Sequence, residues 1–153
     1  KRLRLLIIVA VVLFVDQLSK CLVAMHMEIG QSITIIKHLL NITYIENPGA
    51  AFGMFPYQTA FFIAITVLAA VLIIYYYRLL NEDHRWLRIG LALMLGGALG
   101  NLVDRLRSGY VIDYIDITIW PPVFNLADTA IVVGIGIFII AFWREFELKD
   151  ERS

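Results

Sequence analysis

The sequence is poor in the groups from which soluble surfaces and many active sites are built. Only 17% of its 153 residues are charged, against about 25% in an ordinary soluble domain. Thirteen basic and thirteen acidic residues cancel to zero net charge. The basic footprint that nucleic-acid binding requires is therefore absent. The one cysteine, Cys21, cannot close an internal disulfide. The three histidines are His26, His38 and His84. Neither an HExxH stretch nor paired His/Cys spacing accompanies them, which argues against a metal centre. No cysteine or serine–histidine nucleophile stands out. Internal repeats and low-complexity tracts are lacking too.

What is abundant is apolar surface. Hydrophobic residues make up 60% of the chain, where about 45–50% is usual even with glycine counted. A membrane-crossing helix needs about 20 mostly apolar residues. Four segments qualify, at about residues 5–25, 59–80, 87–104 and 123–143. The length allows one domain over residues 1–153. The first span is too long and too polar near its end, with Asp16 and Lys20, to read as a cleavable leader. The expectation is a multi-pass, all-α membrane protein with four transmembrane helices.

Nine of the thirteen basic residues (Lys1, Arg2, Arg4, Arg78, Arg85, Arg88, Arg144, Lys149 and Arg152) flank one end of these spans. The positive-inside rule makes that end cytoplasmic and puts both termini inside. Tyr75, Tyr76, Tyr77, Trp86 and Trp143 fall at the same interface, where amphipathic rings prefer to sit. The outer connection at residues 26–58 carries β-like stretches at residues 32–36 and 39–46. The turn Asn47-Pro48-Gly49 follows. A small extracytoplasmic sheet between helices 1 and 2 is expected there. Residues 105–122 form the second outer connection, where Pro121-Pro122 stops any helix.

Charged groups within a membrane segment are costly and are functional candidates by default. At about 1.5 Å rise per residue, Asp16 lies about 18 Å and Lys20 about 24 Å from Arg4. Asn101 and Asp104 lie about 20 and 24 Å from Arg88. Asp128 and Asn125 lie about 22 and 27 Å from Trp143. Three helices thus carry polar groups in the outer third of a core about 30 Å thick. Asp16 and Lys20 are four apart and share a face. Gly96, Gly97 and Gly100 give the third helix a small-residue surface for close packing.

Carboxylates, amides, a lysine and an arginine make paired-aspartate chemistry the live option. Two close aspartates cannot both ionise easily, so they share a proton. One then acts as base toward water and the other as acid toward the carbonyl or leaving amine. Asp128, inside an otherwise apolar segment, is one member. Spacing leaves its partner open among Asp113, Asp116, Asp104 and Asp16. Asp113 stands in the apolar run 110–115, where an idle carboxylate is costly.

Five segments carry a resemblance to a known family. They are Asp16-Gln17-x-x-Lys20, Asn47-x-Gly49-Ala50-Ala51-Phe52, Gly100-Asn101-x-x-Asp104-Arg105, Val111-Ile112-Asp113-Tyr114 and Phe124-Asn125-x-Ala127-Asp128. In this order the chain resembles bacterial lipoprotein signal peptidase (signal peptidase II), the A8 type of aspartyl peptidase. Two departures stand out: Tyr114 replaces a phenylalanine, and the gap between Asp113 and Asp128 is short. The resemblance implies that Asp113 and Asp128 are the catalytic pair. It implies that Asp16, Lys20, Asn47, Gly49, Phe52, Asn101, Asp104, Arg105 and Asn125 support the site or bind substrate. It implies a diacylglyceryl-modified prolipoprotein substrate cut N-terminal to the lipidated cysteine. It also implies contact with membrane lipid, inhibition by globomycin, no metal or other cofactor, and a monomer in the bacterial inner membrane with its site near the outer face.

Plainer readings exist for several residues. Asp16–Lys20 reads as a structural ion pair, Asp104–Arg105 as a helix cap and Asp116 as a solvated loop residue. The rival functions are a small proton-coupled transporter, whose polar groups should run through the whole bilayer depth, and a non-catalytic assembly factor.

Overall fold

The structure is a computed structural model. It describes residues 2–49 and 58–150, with side chains described for residues 3–49 and 58–145. Four helices and three strands follow in the order α1 (Arg2–His26), β1 (Ser32–Ile36), β2 (Leu40–Asn47), α2 (Thr59–Leu79), α3 (Arg85–Ser108), β3 (Val111–Ile117) and α4 (Leu126–Asp150). All four helices are long and apolar enough to cross a membrane. Apolar side chains such as Leu6, Phe14, Leu68, Val71 and Val132 point outward and stay exposed. That pattern suits lipid rather than water as the surrounding solvent.

The central helix is α3, which packs against α4, α1 and α2. Half of its span is buried. Small residues make this possible. A Cβ on Gly90 would stand 2.7 Å from the Gly134 carbonyl oxygen, and one on Gly96 would stand 2.8 Å from the Val12 Cβ. A Cβ on Gly97 would run into the Ala127 carbonyl. The helix ends at Gly109, whose φ of 84° is the left-handed conformation that closes many helices. Toward the basic end, an apolar core of Ala70, Ile73, Tyr77, Leu91 and Leu95 joins α2 to α3.

Three adjustments to the sequence-based spans matter for the site. The third helix runs on to Ser108, four residues beyond the expected end. The fourth starts at Leu126 rather than near residue 123, so Asn125 precedes the helix instead of lying within it. The second outer connection is more than a linker, for it supplies strand β3. The sheet is antiparallel in the order β1-β2-β3. Two strands come from between α1 and α2, as expected, and the third from between α3 and α4. Alternation decides the two faces. Ser32, Thr43, Asn41 and Asp116 share one face, where Thr43 and Asn41 donate to the Asp116 carboxylate at 2.7 and 3.4 Å. Asp116 is therefore a strand residue with partners, not a solvated loop residue. Asp113 lies on the opposite face.

Candidate functional site

The site forms where α1, α3, the start of α4 and the β2–β3 edge meet. Among the described residues, the buried polar and charged side chains are Asp16, Lys20, Asn101, Asp104, Asp113 and Asn125. All six belong to one cluster at this end of the bundle. None of its fully enclosed side-chain nitrogen or oxygen atoms lacks a partner among the described residues. Buried polar groups are tolerable only on that condition.

At its base lies an ion triad. The Lys20 Nζ stands 2.9 Å from Asp16 Oδ2 and 2.7 Å from Asp104 Oδ2. The same ammonium donates to Asn101 Oδ1 at 3.0 Å. Asp16, fully buried, also accepts the Ala127 backbone N–H at 3.0 Å. That N–H belongs to the first turn of α4, where helical donors lack intrahelical partners and the dipole favours a carboxylate. Gln17 completes the base by donating to Asp104 Oδ1 at 2.8 Å and to the Gly100 carbonyl at 3.2 Å. Asp16 and Asp104 are thus committed to one lysine and to backbone or amide donors.

Above the triad stand two amides and two carboxyl groups. Asn101 donates through Nδ2 to Asp128 Oδ1 at 2.7 Å. Asn125 donates through Nδ2 to Asp113 Oδ1 at 2.7 Å, and through its backbone N–H to Asp128 Oδ2 at 3.3 Å. A single residue therefore touches both carboxyl groups. The remaining Asp113 oxygen accepts from Asn47 Nδ2 at 2.9 Å. Register explains that bond. Asn47 pairs with Val111 and Ile45 with Asp113, so Asn47 and Asp113 are diagonal neighbours on one face of the sheet. The Asn47 side-chain oxygen meanwhile accepts the Gly49 N–H at 2.9 Å and folds the turn. Arg105 donates to the Gly49 carbonyl at 3.3 Å and lies 5.1 Å over the Phe62 ring. It is thereby held between α2 and the turn and does not cap α3.

The two carboxyl groups differ in setting. Asp113 is only 3% exposed, whereas Asp128 is partly open. Burial pushes the Asp113 carboxyl up to about 6, and the neighbouring Asp128 pushes the same way. The hydrogen bonds from Asn47 and Asn125, and the Lys20 charge, pull it back. The result is a carboxyl that holds or yields a proton near neutrality.

The structure thus brings together Asp16, Lys20, Asn47, Gly49, Asn101, Asp104, Arg105, Asp113, Asn125 and Asp128. Phe52 lies outside the described residues. Two contributors lie outside the expected set of site residues. One is Gln17, quoted as part of the first motif but given no role there. The other is the Tyr114–Ser19 pair: the Tyr114 hydroxyl donates to Ser19 Oγ at 2.6 Å, and Ser19 donates to the Asp16 carbonyl at 2.7 Å. The tyrosine that departs from the family pattern thus ties β3 to α1.

Comparison with known proteins agrees with this architecture. Residues 8–144 match the family described as Signal peptidase (SPase) II. The chain is 50% identical over 139 residues to the lipoprotein signal peptidase of Moorella thermoacetica, covering 91% of this chain and 90% of that one. It is 46% identical over 145 residues to the lipoprotein signal peptidase of Halothermothrix orenii, covering 94% and 98% respectively. A solved bacterial membrane enzyme, determined by the in meso method at 2.3 Å resolution, superposes with a TM-score of 0.87 at 34% identity. The match covers 95% of this chain and 91% of that one.

Proposed function

The chain belongs to the signal peptidase II family of membrane peptidases, and on that premise we propose that it is an intramembrane aspartyl endopeptidase. Its substrates are diacylglyceryl-modified prolipoproteins, and it removes their signal peptides by cutting N-terminal to the lipidated cysteine. Asp113 and Asp128 are the catalytic pair. The observation that carries this reading is Asn125, which hydrogen-bonds Asp113 through its side chain and Asp128 through its backbone. Of the other candidate partners, Asp16 and Asp104 are paired with Lys20. Asp116 is bonded to Thr43 on the far face of the sheet.

The pair shares one proton. The ionised carboxylate takes a proton from a water, and the resulting hydroxyl attacks the scissile carbonyl carbon. The protonated partner gives its proton to the carbonyl oxygen, so a neutral tetrahedral diol forms. On collapse, one diol hydroxyl returns a proton to the pair, the C–N bond breaks, and the cysteine amine leaves with a proton from the pair. One water has then been consumed, and the pair is back in its starting state. The partly open Asp128 is the member that meets water and substrate. Asn101, Asn125 and Asn47 hold the carboxyl oxygens, and Lys20 of the triad holds Asn101, which in turn accepts from Asn125. Arg105 and the turn at Gly49 face the entering peptide.

Orientation follows from charge. Arg78, Arg85, Arg88 and Arg144 lie at the end opposite the sheet, so that end and both termini are cytoplasmic and the site faces outward. A diacylglyceryl anchor keeps the scissile bond close to the outer surface, at the depth of the pair. The confinement of buried polar groups to one end also disfavours the transporter, which needs them along the whole path.

The test is cleavage of a diacylglyceryl-modified precursor by purified protein in detergent. Wild type should release the signal peptide, while Asp113→Asn and Asp128→Asn should each lose roughly 10³-fold or more in rate. Near-normal cleavage by either variant would remove that aspartate from the pair. An unmodified precursor cut as well as the lipidated one would overturn the substrate assignment. Addition of EDTA should leave the rate unchanged.

A further inference from the structure

A cavity of about 290 Å³ opens at the far end of the bundle, where the start of α1, the end of α2 and the start of α3 meet. Residues such as Ile8, Ile89 and Ala92 form its apolar walls, and Arg4, Arg85 and Arg88 reach its rim together with Glu82. Three positive charges thus face one negative charge. Arg88 is fixed in place: it donates to the Tyr77 hydroxyl at 3.0 Å, and its guanidinium stands 4.4 Å from that ring centre. Its contact with Glu82 is longer, at 3.4 Å, and Glu82 is half exposed. Arg4 and Arg85 have no ionic partner within 4.0 Å among the described residues. Tyr77, read from sequence as an interfacial ring, instead turns inward and is 7% exposed.

The surroundings decide what such a pocket takes. Leu3, Leu6 and Ile7 beside it are exposed apolar residues, and Trp86 and Trp143 are exposed at the same end of the bundle. Exposed tryptophans of this kind mark headgroup level. A cationic rim at headgroup level over an apolar wall between helices fits a group with a phosphate at one end and hydrocarbon at the other. We infer that this cavity binds an anionic phospholipid of the inner leaflet. The phosphate lies among Arg4, Arg85 and Arg88, and an acyl chain runs along Ile8 and Ile89. Arg88, held by Tyr77, is a pre-organised donor for one phosphate oxygen. Exposed Arg4 and Arg85 close on the phosphate from either side. The site is separate from the carboxyl cluster and does not depend on its chemistry.

The experiment uses the full chain in a neutral detergent, with retained lipid read by native mass spectrometry. Short-chain phosphatidylglycerol and phosphatidylcholine are offered in parallel. Wild type should retain phosphatidylglycerol in preference. The double variant Arg4→Gln/Arg85→Gln should weaken that retention roughly thirtyfold. It should keep its peptidase rate in detergent, because neither residue touches the carboxyl cluster. Arg78→Gln/Arg144→Gln removes the same charge outside the cavity and should retain the lipid as wild type does. Equal retention of the two lipids by wild type, or equal losses from the two double variants, would overturn the site. Displacement of the lipid by millimolar inorganic phosphate would assign the arginines to a soluble anion instead and overturn the lipid.

Discussion

Asn125 and Asp128 cap one another at the start of α4. The Asn125 side-chain oxygen accepts the Asp128 backbone N–H at 2.9 Å, and the Asp128 carboxylate accepts the Asn125 N–H at 3.3 Å. This is a capping box built from asparagine and aspartate. It uses a helix terminus to aim a carboxyl group, since Asp128 can rotate only by breaking the cap. The amide left over on Asn125 is what reaches Asp113. Capping and positioning are separable by substitution. Asn125→Ser keeps an N-cap acceptor, so the cap survives and the cost in detergent stability is that of the lost buried amide bonds, about 1–3 kcal/mol. It cannot reach Asp113, so kcat should fall by roughly 10² while KM stays near its original value. A serine variant with normal kcat would show that the asparagine serves the helix alone.

The carboxyl of Asp113 should leave a mark on the pH dependence of stability. Folding raises it from its ordinary 3.8 to about 6. A group held more protonated when folded contributes fully below the unfolded value, and that contribution is lost as pH rises through the folded one. Wild type should therefore lose stability between about pH 4 and pH 6 from this residue. Asp113→Asn carries no such proton. Its stability relative to wild type should grow by roughly 2–3 kcal/mol from pH 4 to pH 7. Melting of both proteins across that range gives the answer. Parallel curves would mean that Asp113 is not the buried acid described here.

What could be read from sequence was what depends on short-range pattern. The spans were legible because transfer into lipid acts on each run of about 20 residues separately. The shared depth of Asp16, Asn101 and Asp128 was legible because helical rise is constant. Strand β3 was not, because residues 111–117 read Val-Ile-Asp-Tyr-Ile-Asp-Ile, with apolar residues on both faces and no strict alternation. Its partner β2 lies far back in the chain, and only their pairing turns Asp113 to one face and Asp116 to the other. The same non-local geometry separates the four carboxylates that spacing left open. Asn125 was misjudged for a different reason. Counting back from Trp143 assumed helix throughout, whereas the helix begins one residue later and Asn125 serves as its cap.

The glycines of α3 predict a second contrast. A Cβ on Gly100 would stand 2.5 Å from Asp16 Oδ2 and 3.2 Å from the Ala127 Cβ. Gly100→Ala must therefore push Asp16 off the Ala127 N–H or spread α3 from α4. A cost of about 1–3 kcal/mol follows from the overpacking, with a loss of activity alongside. Gly136, on α4, has nothing within 4 Å of an added Cβ. Gly136→Ala should be neutral or should stabilise by up to about 1 kcal/mol through helix propensity. Thermal melting in one detergent compares the two. Equal effects would mean that the α3 contact yields more readily than its distances imply.

Lys20 is the last and most sensitive test, because among the described residues it is the one buried cation, and it sits between two buried acids. It is 2% exposed and lies within 3.0 Å of both Asp16 and Asp104. Lys20→Met keeps most of the volume and removes the charge, leaving two carboxylates facing each other without a counter-ion. Breaking a buried pair from one side costs about 3–5 kcal/mol. The nearby Arg107 is exposed and makes no ion pair among the described residues. Arg107→Met should therefore stay within about 0.5 kcal/mol of wild type. The lysine variant should also regain stability as pH falls, because protonation neutralises the two carboxylates left facing each other without a counter-ion. Simple loss of packing would give a deficit independent of pH, so melting Lys20→Met at pH 5 and pH 8 distinguishes the ionic account from the steric one.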